Sequence, residues 1–131
     1  MSEAYTWVSS ELPNQQRAFH ETLPFVPVTT LDSKGRPWGS IFAGKDGKPG
    51  FIRSPSDTSL IMNISLWQGD PFVENSTLFL PSTRHGDAML LAGIGIEFET
   101  RRRNKFAGWV SGLDQKDLAF RLEVQVNQAI G

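Results

Sequence analysis

From Phe25 to Ser54 the chain reads "FVPVTTL", "DSKG", "RPWGSIFAG", "KDGK" and "PGFIRS". Short runs rich in β-branched and apolar residues alternate with tetrapeptides carrying Asp and Gly, the residue types that reverse a backbone most easily. Two such reversals in close succession favour consecutive hairpins, so an antiparallel meander is expected to open the domain.

The pattern returns later in the chain. In "MLLAGIGIEFET" Leu91, Gly93 and Gly95 fall on one face of a strand, and Ile94, Ile96 and Phe98 on the other. "NKFAGWVSGL" and "LAFRLEVQV" follow, with "GLDQKD" as the expected turn between them. Periodicity leaves "DTSLIMNIS" open between a strand and a helical turn. "WQGDPFVENSTLFLPSTRHGDA" reads as a long connection with room for a short helix. Ahead of the strands, "SSELPNQQRAFHETLPFV" predicts a short helix with Ser10 as its cap, Pro13 in its first turn, Phe19 and Leu23 on one face, and Pro24 as its stop. The sum is a mainly β chain of six to seven antiparallel strands, expected to form a closed or partly open barrel. No linker divides residues 1–131, so one domain is expected. The chain stops at Gly131 within or just after a strand, as it would if the barrel sequence were cut there.

Thirteen basic and fourteen acidic residues leave a formal charge of -1. That balance argues against nucleic acid or an anionic membrane as partner. The chain has no run of ~18 apolar residues. Its N-terminus lacks the basic start and apolar stretch of a signal peptide. The absence of cysteine excludes disulfides, thiolate metal sites and a cysteine nucleophile, and suits a reducing compartment, so the expected location is the cytoplasm.

Most chemical motifs fail on spacing. His20 and His85, the two histidines, show no metal-ligand spacing, so no metal site is expected. His85 has Asp87 nearby in "STRHGD", but no nucleophile elbow accompanies them. "GIG" lacks a third glycine and continues into a strand, so it is not a dinucleotide fingerprint; close packing or a bulge explains it. "RSPSDTSL" combines Arg53, Ser54, Ser56, Thr58 and Ser59 in a strand and turn. That is a donor set suited to phosphate or carboxylate, although a capped turn would carry the same residues.

"ETRRRNKFAG" is the sharpest anomaly, since three adjacent arginines repel one another. They either pair with Glu97, Glu99 or Glu123 at a strand end, or hold an anion. In a strand, Arg101 and Arg103 would face one way and Arg102 the other. Single-stranded nucleic acid, stacked on Phe106 or Trp109, is a further option that the neutral charge disfavours.

In order along the chain, "LPFVPVTTLDSKGRPWGSIFAGKDGKPGFIRSPSDTSLIMNIS", "GDPF" and "GIGIEFETRRRNKFAG" resemble the pyridoxamine phosphate oxidase-like, FMN-binding split-barrel family. The resemblance runs from about Pro13 to Gly131 and is nearest a branch with "GRPW" and "TRRRN" motifs. It implies a Greek-key split β-barrel homodimer, with FMN in clefts between subunits, acting as an oxidoreductase on a small molecule with a donor such as NAD(P)H. By position it implies cofactor contacts from Trp38, Ser40 and Ile41, from Arg53, Ser54 and Ser59, and from Arg102, Arg103 and Asn104. The resemblance singles out no catalytic acid or base.

The chain departs from the family pattern where relatives carry "NRVNG": Lys105 and Ala107 replace an arginine and an asparagine. Relatives also continue beyond this end, and some carry a reductase portion after the barrel. A non-catalytic dimeric barrel binding flavin, haem or another anionic ligand is therefore the alternative expectation.

Overall fold

The structure is a computed structural model that describes residues 8–78 and 88–131. Its elements in chain order are β1 (Val8–Ser9), α1 (Asn14–Glu21), β2 (Phe25–Leu31), β3 (Pro37–Ala43), β4 (Ile52–Ser56), β5 (Ser59–Ser65), α2 (Pro71–Asn75), β6 (Leu90–Glu97), β7 (Arg102–Lys116) and β8 (Ala119–Ile130). The eight strands form one antiparallel sheet in the order β3-β2-β6-β7-β8-β5-β4, with β1 added alongside β8. That is one strand more than the upper end of the sequence expectation, and the extra one is the two-residue β1, too short to leave a pattern.

The first reversal forms as its residues dictate. Asp32 Oδ1 accepts from the backbone N–H of Lys34 at 2.8 Å and of Arg36 at 2.9 Å, while Oδ2 accepts from Arg36 Nε at 2.7 Å and Trp38 Nε1 at 2.9 Å. These bonds hold the Asp32 carboxyl well below the usual carboxylate range, the Trp38 indole being the largest cause. The turn sets β2 against β3 from Phe25↔Ala43 to Leu31↔Pro37. "DTSLIMNIS" is strand β5, paired to β8 along its whole length.

Two local expectations need correction. Ser10 does not cap α1; Pro13, extended at φ -61 and ψ 154, is the N-cap residue, and its carbonyl accepts from Arg17 N. The backbone N–H of Leu12 is bonded to the Asp57 carbonyl at 2.6 Å, which delays the helix past Ser10. Nor is "GLDQKD" the β7–β8 turn, because Gly112 to Lys116 pair with Glu123 to Ala119 and the chain reverses at Asp117, whose φ is 55. Half-buried Leu113 packs on the core, which keeps that stretch in the sheet.

The long β7–β8 ladder shifts register at Ala107/Gly108 and at Val110/Gly112. At Gly108 a Cβ would lie 1.8 Å from the Gln125 carbonyl oxygen, so only glycine lets the two backbones approach this closely. Inward alternation buries Val26, Val28, Phe42, Leu60, Met62, Leu122 and Val124 inside the curled sheet. α1 and the residues just after it bury Phe19 and Leu23 against the sheet. α2 inserts Phe72 edge-on between Phe42, at 5.0 Å, and Phe120, at 5.5 Å. Among the described residues no ladder joins β3 to β4, the two ends of the strand path, although Gly44 comes against Phe51. The fold is a split β-barrel.

Candidate functional site

The outer face of a barrel wall normally carries polar side chains, but here much of it is small or apolar. Thr29 pairs with Gly39 on one side and Ala92 on the other, Ala92 pairs with Ala107, and Ala107 with Gln128. One step along the strands, Pro27 pairs with Ile41, and Ile94 with Lys105, which pairs with Ile130. All these residues are outside the barrel, and Ile41 is 55% exposed. They form the floor of an open cleft of about 1140 Å³ that extends over the β3 edge to Ser65, Trp67 and Asp70. Small side chains at positions 39, 92 and 107 make part of the floor flat. Lys45 and Lys105 are the cations lining it.

One rim of the cleft is rigid. Ser40 Oγ donates to Asp70 Oδ1 at 2.6 Å, and the same oxygen accepts from Phe72 N at 2.9 Å as the N-cap of α2. Asp70 thus binds strand β3 to α2, and its carboxylate already has two donors.

The residues named from the sequence do not all meet in this cleft. Ser40 and Ile41 line it. Trp38 lines a separate cavity of about 440 Å³ with Glu74, Asn75 and Leu78, its indole N–H held by Asp32. Ser54 is buried in a structural network: its Oγ accepts from Arg17 Nε at 3.0 Å and reaches the carbonyls of Ser56 and Ser59, while Arg17 Nη2 donates to the Ser54 carbonyl at 2.9 Å. Ser59 Oγ is bonded to Ser56 Oγ at 2.8 Å. The hydroxyls of "RSPSDTSL" therefore join β4 to β5 and α1. Arg53 projects from the exposed side of β4, away from the cleft.

The three arginines part company. Arg101 lies in the β6–β7 reversal at φ 59, so the triplet belongs to a hairpin and not to one strand. Arg102 turns towards α1, its guanidinium 4.9 Å from the centre of the Phe19 ring. Arg103, paired with Ile96, faces outward two positions from Lys105 on the cleft side of β7. Among the described residues none of the three has a carboxylate within 4.0 Å, so the pairing expected with Glu97, Glu99 or Glu123 does not form. Asn104 is buried and its Oδ1 accepts from Gln16 Nε2 at 3.3 Å.

Inside the barrel, Gly93 leaves room for the Phe106 ring, and Gly95 for Phe19, Leu23 and His20; "GIG" serves packing, with no bulge in the β6–β7 register. Phe106 is buried and therefore unavailable to stack on a base. His20 is fully buried, edge-on to Phe19 and Phe106, and burial draws its pKa down to about 4. His85 and Asp87 lie outside the described residues. Among the described residues no helix is long and apolar enough to cross a membrane.

Reading the sequence for motifs missed Lys45, Trp67 and Asp70 as cleft residues and treated Lys105 only as a departure. The usable signal was apolar character at both parities of β2, β3 and β6, which marks a wall with something to cover on each face.

No family model and no curated protein matches the chain. Solved structures do. A candidate pyridoxamine 5'-phosphate oxidase from Lactobacillus delbrueckii superposes with a TM-score of 0.63 at 10% identity, over 94% of this chain and 96% of its own. HupZ of Group A Streptococcus superposes with a TM-score of 0.56 at 13% identity, over 88% of this chain and 89% of its own. A histidine-to-alanine variant of HupZ gives 0.58 at 12% identity, over 90% and 97%. At these identities the likeness is one of fold: the chain shares the split barrel of these proteins, and what it binds is a question for its own cleft.

Proposed function

We propose that the chain is an FMN-binding flavoprotein of the pyridoxamine phosphate oxidase-like type, an oxidoreductase for a small molecule, in which two copies pair across the outer sheet face with the cofactor between them. The observation that carries this reading is the cleft, an apolar floor flattened by Gly39, Ala92 and Ala107 with Lys45 and Lys105 in its lining. A planar ring needs the first feature and a phosphate dianion the second.

The residues present fit the cofactor. Lys105, with Arg103 beside it on the same face, would hold the phosphate by charge-assisted hydrogen bonds. Ile41 and Ile94 would press against the ring and exclude water from it. The bound flavin would supply hydride and electron transfer. Ser40 and Asp70 satisfy each other and fix the rim, so positioning is their work and proton transfer is not assigned to them. Of the residues off this cleft, Trp38 and Arg53 are exposed and would meet the cofactor only from the second copy. Ser54, Ser59 and Asn104 are buried and Arg102 lies against Phe19, so no cofactor contact is assigned to these four. The cytoplasm is the proposed location, and NAD(P)H is the proposed donor class.

The second reading, a non-catalytic barrel holding flavin, haem or another anionic ligand, draws on Ala107. This departure from the family pattern lines the cleft, where the asparagine amide of relatives is replaced by a methyl group. One experiment separates the readings. The absorption spectrum of the purified protein is recorded after FMN loading and dialysis, then again on adding NAD(P)H without oxygen. Retained flavin bands that bleach support the oxidoreductase; retained bands that do not bleach support the module. A spectrum with no retained flavin overturns FMN binding.

A further inference from the structure

Trp67 belongs to none of the motifs recognised in the sequence, yet it is 86% exposed, more than any other large apolar side chain among the described residues. A single exposed apolar residue is ordinary. This one lines the principal cleft, which it shares with the exposed Ile41.

Its backbone is fixed on both sides. Leu66, immediately before it, is buried and donates its N–H to the Leu118 carbonyl at 2.9 Å. After it, Asp70 N donates to the Trp67 carbonyl at 3.1 Å, closing a turn in which Gly69 takes φ +92. Asp70 in turn is tied to Ser40 and to the start of α2. The indole is therefore presented to solvent from an anchored turn. An indole held in place on a rigid support loses little freedom when a flat ring stacks on it.

We infer that Trp67 is the aromatic clamp of the cleft, stacking on the ring of a planar ligand whose anionic end is held at Lys105. This deepens the FMN reading and rests on it. The ligand class is thereby narrowed to a conjugated, flat ring system bearing phosphate or carboxylate. An aliphatic phosphate would meet Lys105 but leave the indole bare.

The test uses FMN as probe with the wild-type chain, Trp67→Ala and Trp67→Phe. Titration gives the dissociation constant, and emission of the bound flavin is read at saturation, because an indole in van der Waals contact quenches it. Sedimentation gives the association state and circular dichroism the fold. The expected result is roughly ten- to a hundredfold weaker binding by Trp67→Ala. Brighter bound FMN, substantial recovery in Trp67→Phe, and unchanged sedimentation and dichroism complete that result.

If the wild type binds FMN and Trp67→Ala matches it in affinity and emission, the clamp is overturned and the FMN reading stands. A variant that alters sedimentation but not bound-flavin emission overturns the clamp in favour of a contact between copies. Failure of the wild type to bind FMN overturns both.

Discussion

His20 makes the stability of this barrel depend on pH in a way that one substitution should remove. The imidazole is fully buried on the inner side of α1, and neither ring nitrogen has a hydrogen-bond partner among the described residues. Its surroundings are Phe19, Phe106 and Gly95. Desolvation favours the neutral ring, lowering the pKa from 6.5 to about 4. Between those values the unfolded chain binds a proton that the folded chain refuses, so stability falls as pH drops from about 6.5 to about 4 and is fully present above that window. A shift of this size corresponds to about 3 kcal/mol across the window.

His20→Leu keeps a similar volume and removes the titration. It also removes two unsatisfied buried nitrogens, each worth about 1–3 kcal/mol. Urea unfolding of both proteins at pH 7, 6, 5 and 4 is the assay. The variant is expected to be at least as stable at pH 7, with an advantage that widens by about 3 kcal/mol towards pH 4. The carboxylates titrate in both proteins and cancel in the difference. Parallel stability curves for the two proteins would refute the reasoning, because they would mean that His20 protonates as readily folded as unfolded.

Two other perturbations read separate parts of the molecule. Arg101 holds φ 59 in the β6–β7 reversal, so Arg101→Gly is expected to raise stability by up to about 1 kcal/mol in thermal or urea unfolding. A loss instead would mean that the arginine side chain contributes more than its backbone strain costs. Lys105→Gln is expected to weaken FMN binding about tenfold or more, as loss of one charge-assisted bond would, while Arg102→Gln leaves it unchanged. Equal weakening by both in a binding titration would move the anion from the cleft to the α1 end of β7.

What could be read in the sequence was local. "DSKG" specifies its turn through Asp32, whose carboxylate gathers donors within six positions, and through Gly35 at φ 75, and the β2–β3 hairpin followed from it. The α1 apolar face, the short helix in the long connection and the strand that runs through "GIG" were legible for the same reason: period and turn chemistry are properties of neighbours. Ser10 failed as a cap because a distant backbone carbonyl, that of Asp57, had already engaged Leu12. "GLDQKD" failed as a turn because a long partner strand, β8, extended pairing through it.

The candidate site lay further from the sequence still. "RRR" looked like one feature, but a reversal at Arg101 sends Arg102 to the Phe19 ring and Arg103 to the outer face. The serines of "RSPSDTSL" looked like free donors until Arg17, from a helix far upstream, occupied Ser54. Lys45, Trp67 and Lys105 line one cleft only because the end of β3, the turn after β5 and β7 border it. The amino-acid order determined by itself most of the strands, the first turn and the alternating apolar faces, because those depend on contacts a few residues apart. The strand character of β5 and the length of the β7–β8 ladder waited on their partner strand. Tertiary structure alone decided which polar groups were engaged in folding and which were left facing the cleft, because each polar group's partner sits on a strand or helix distant in the chain.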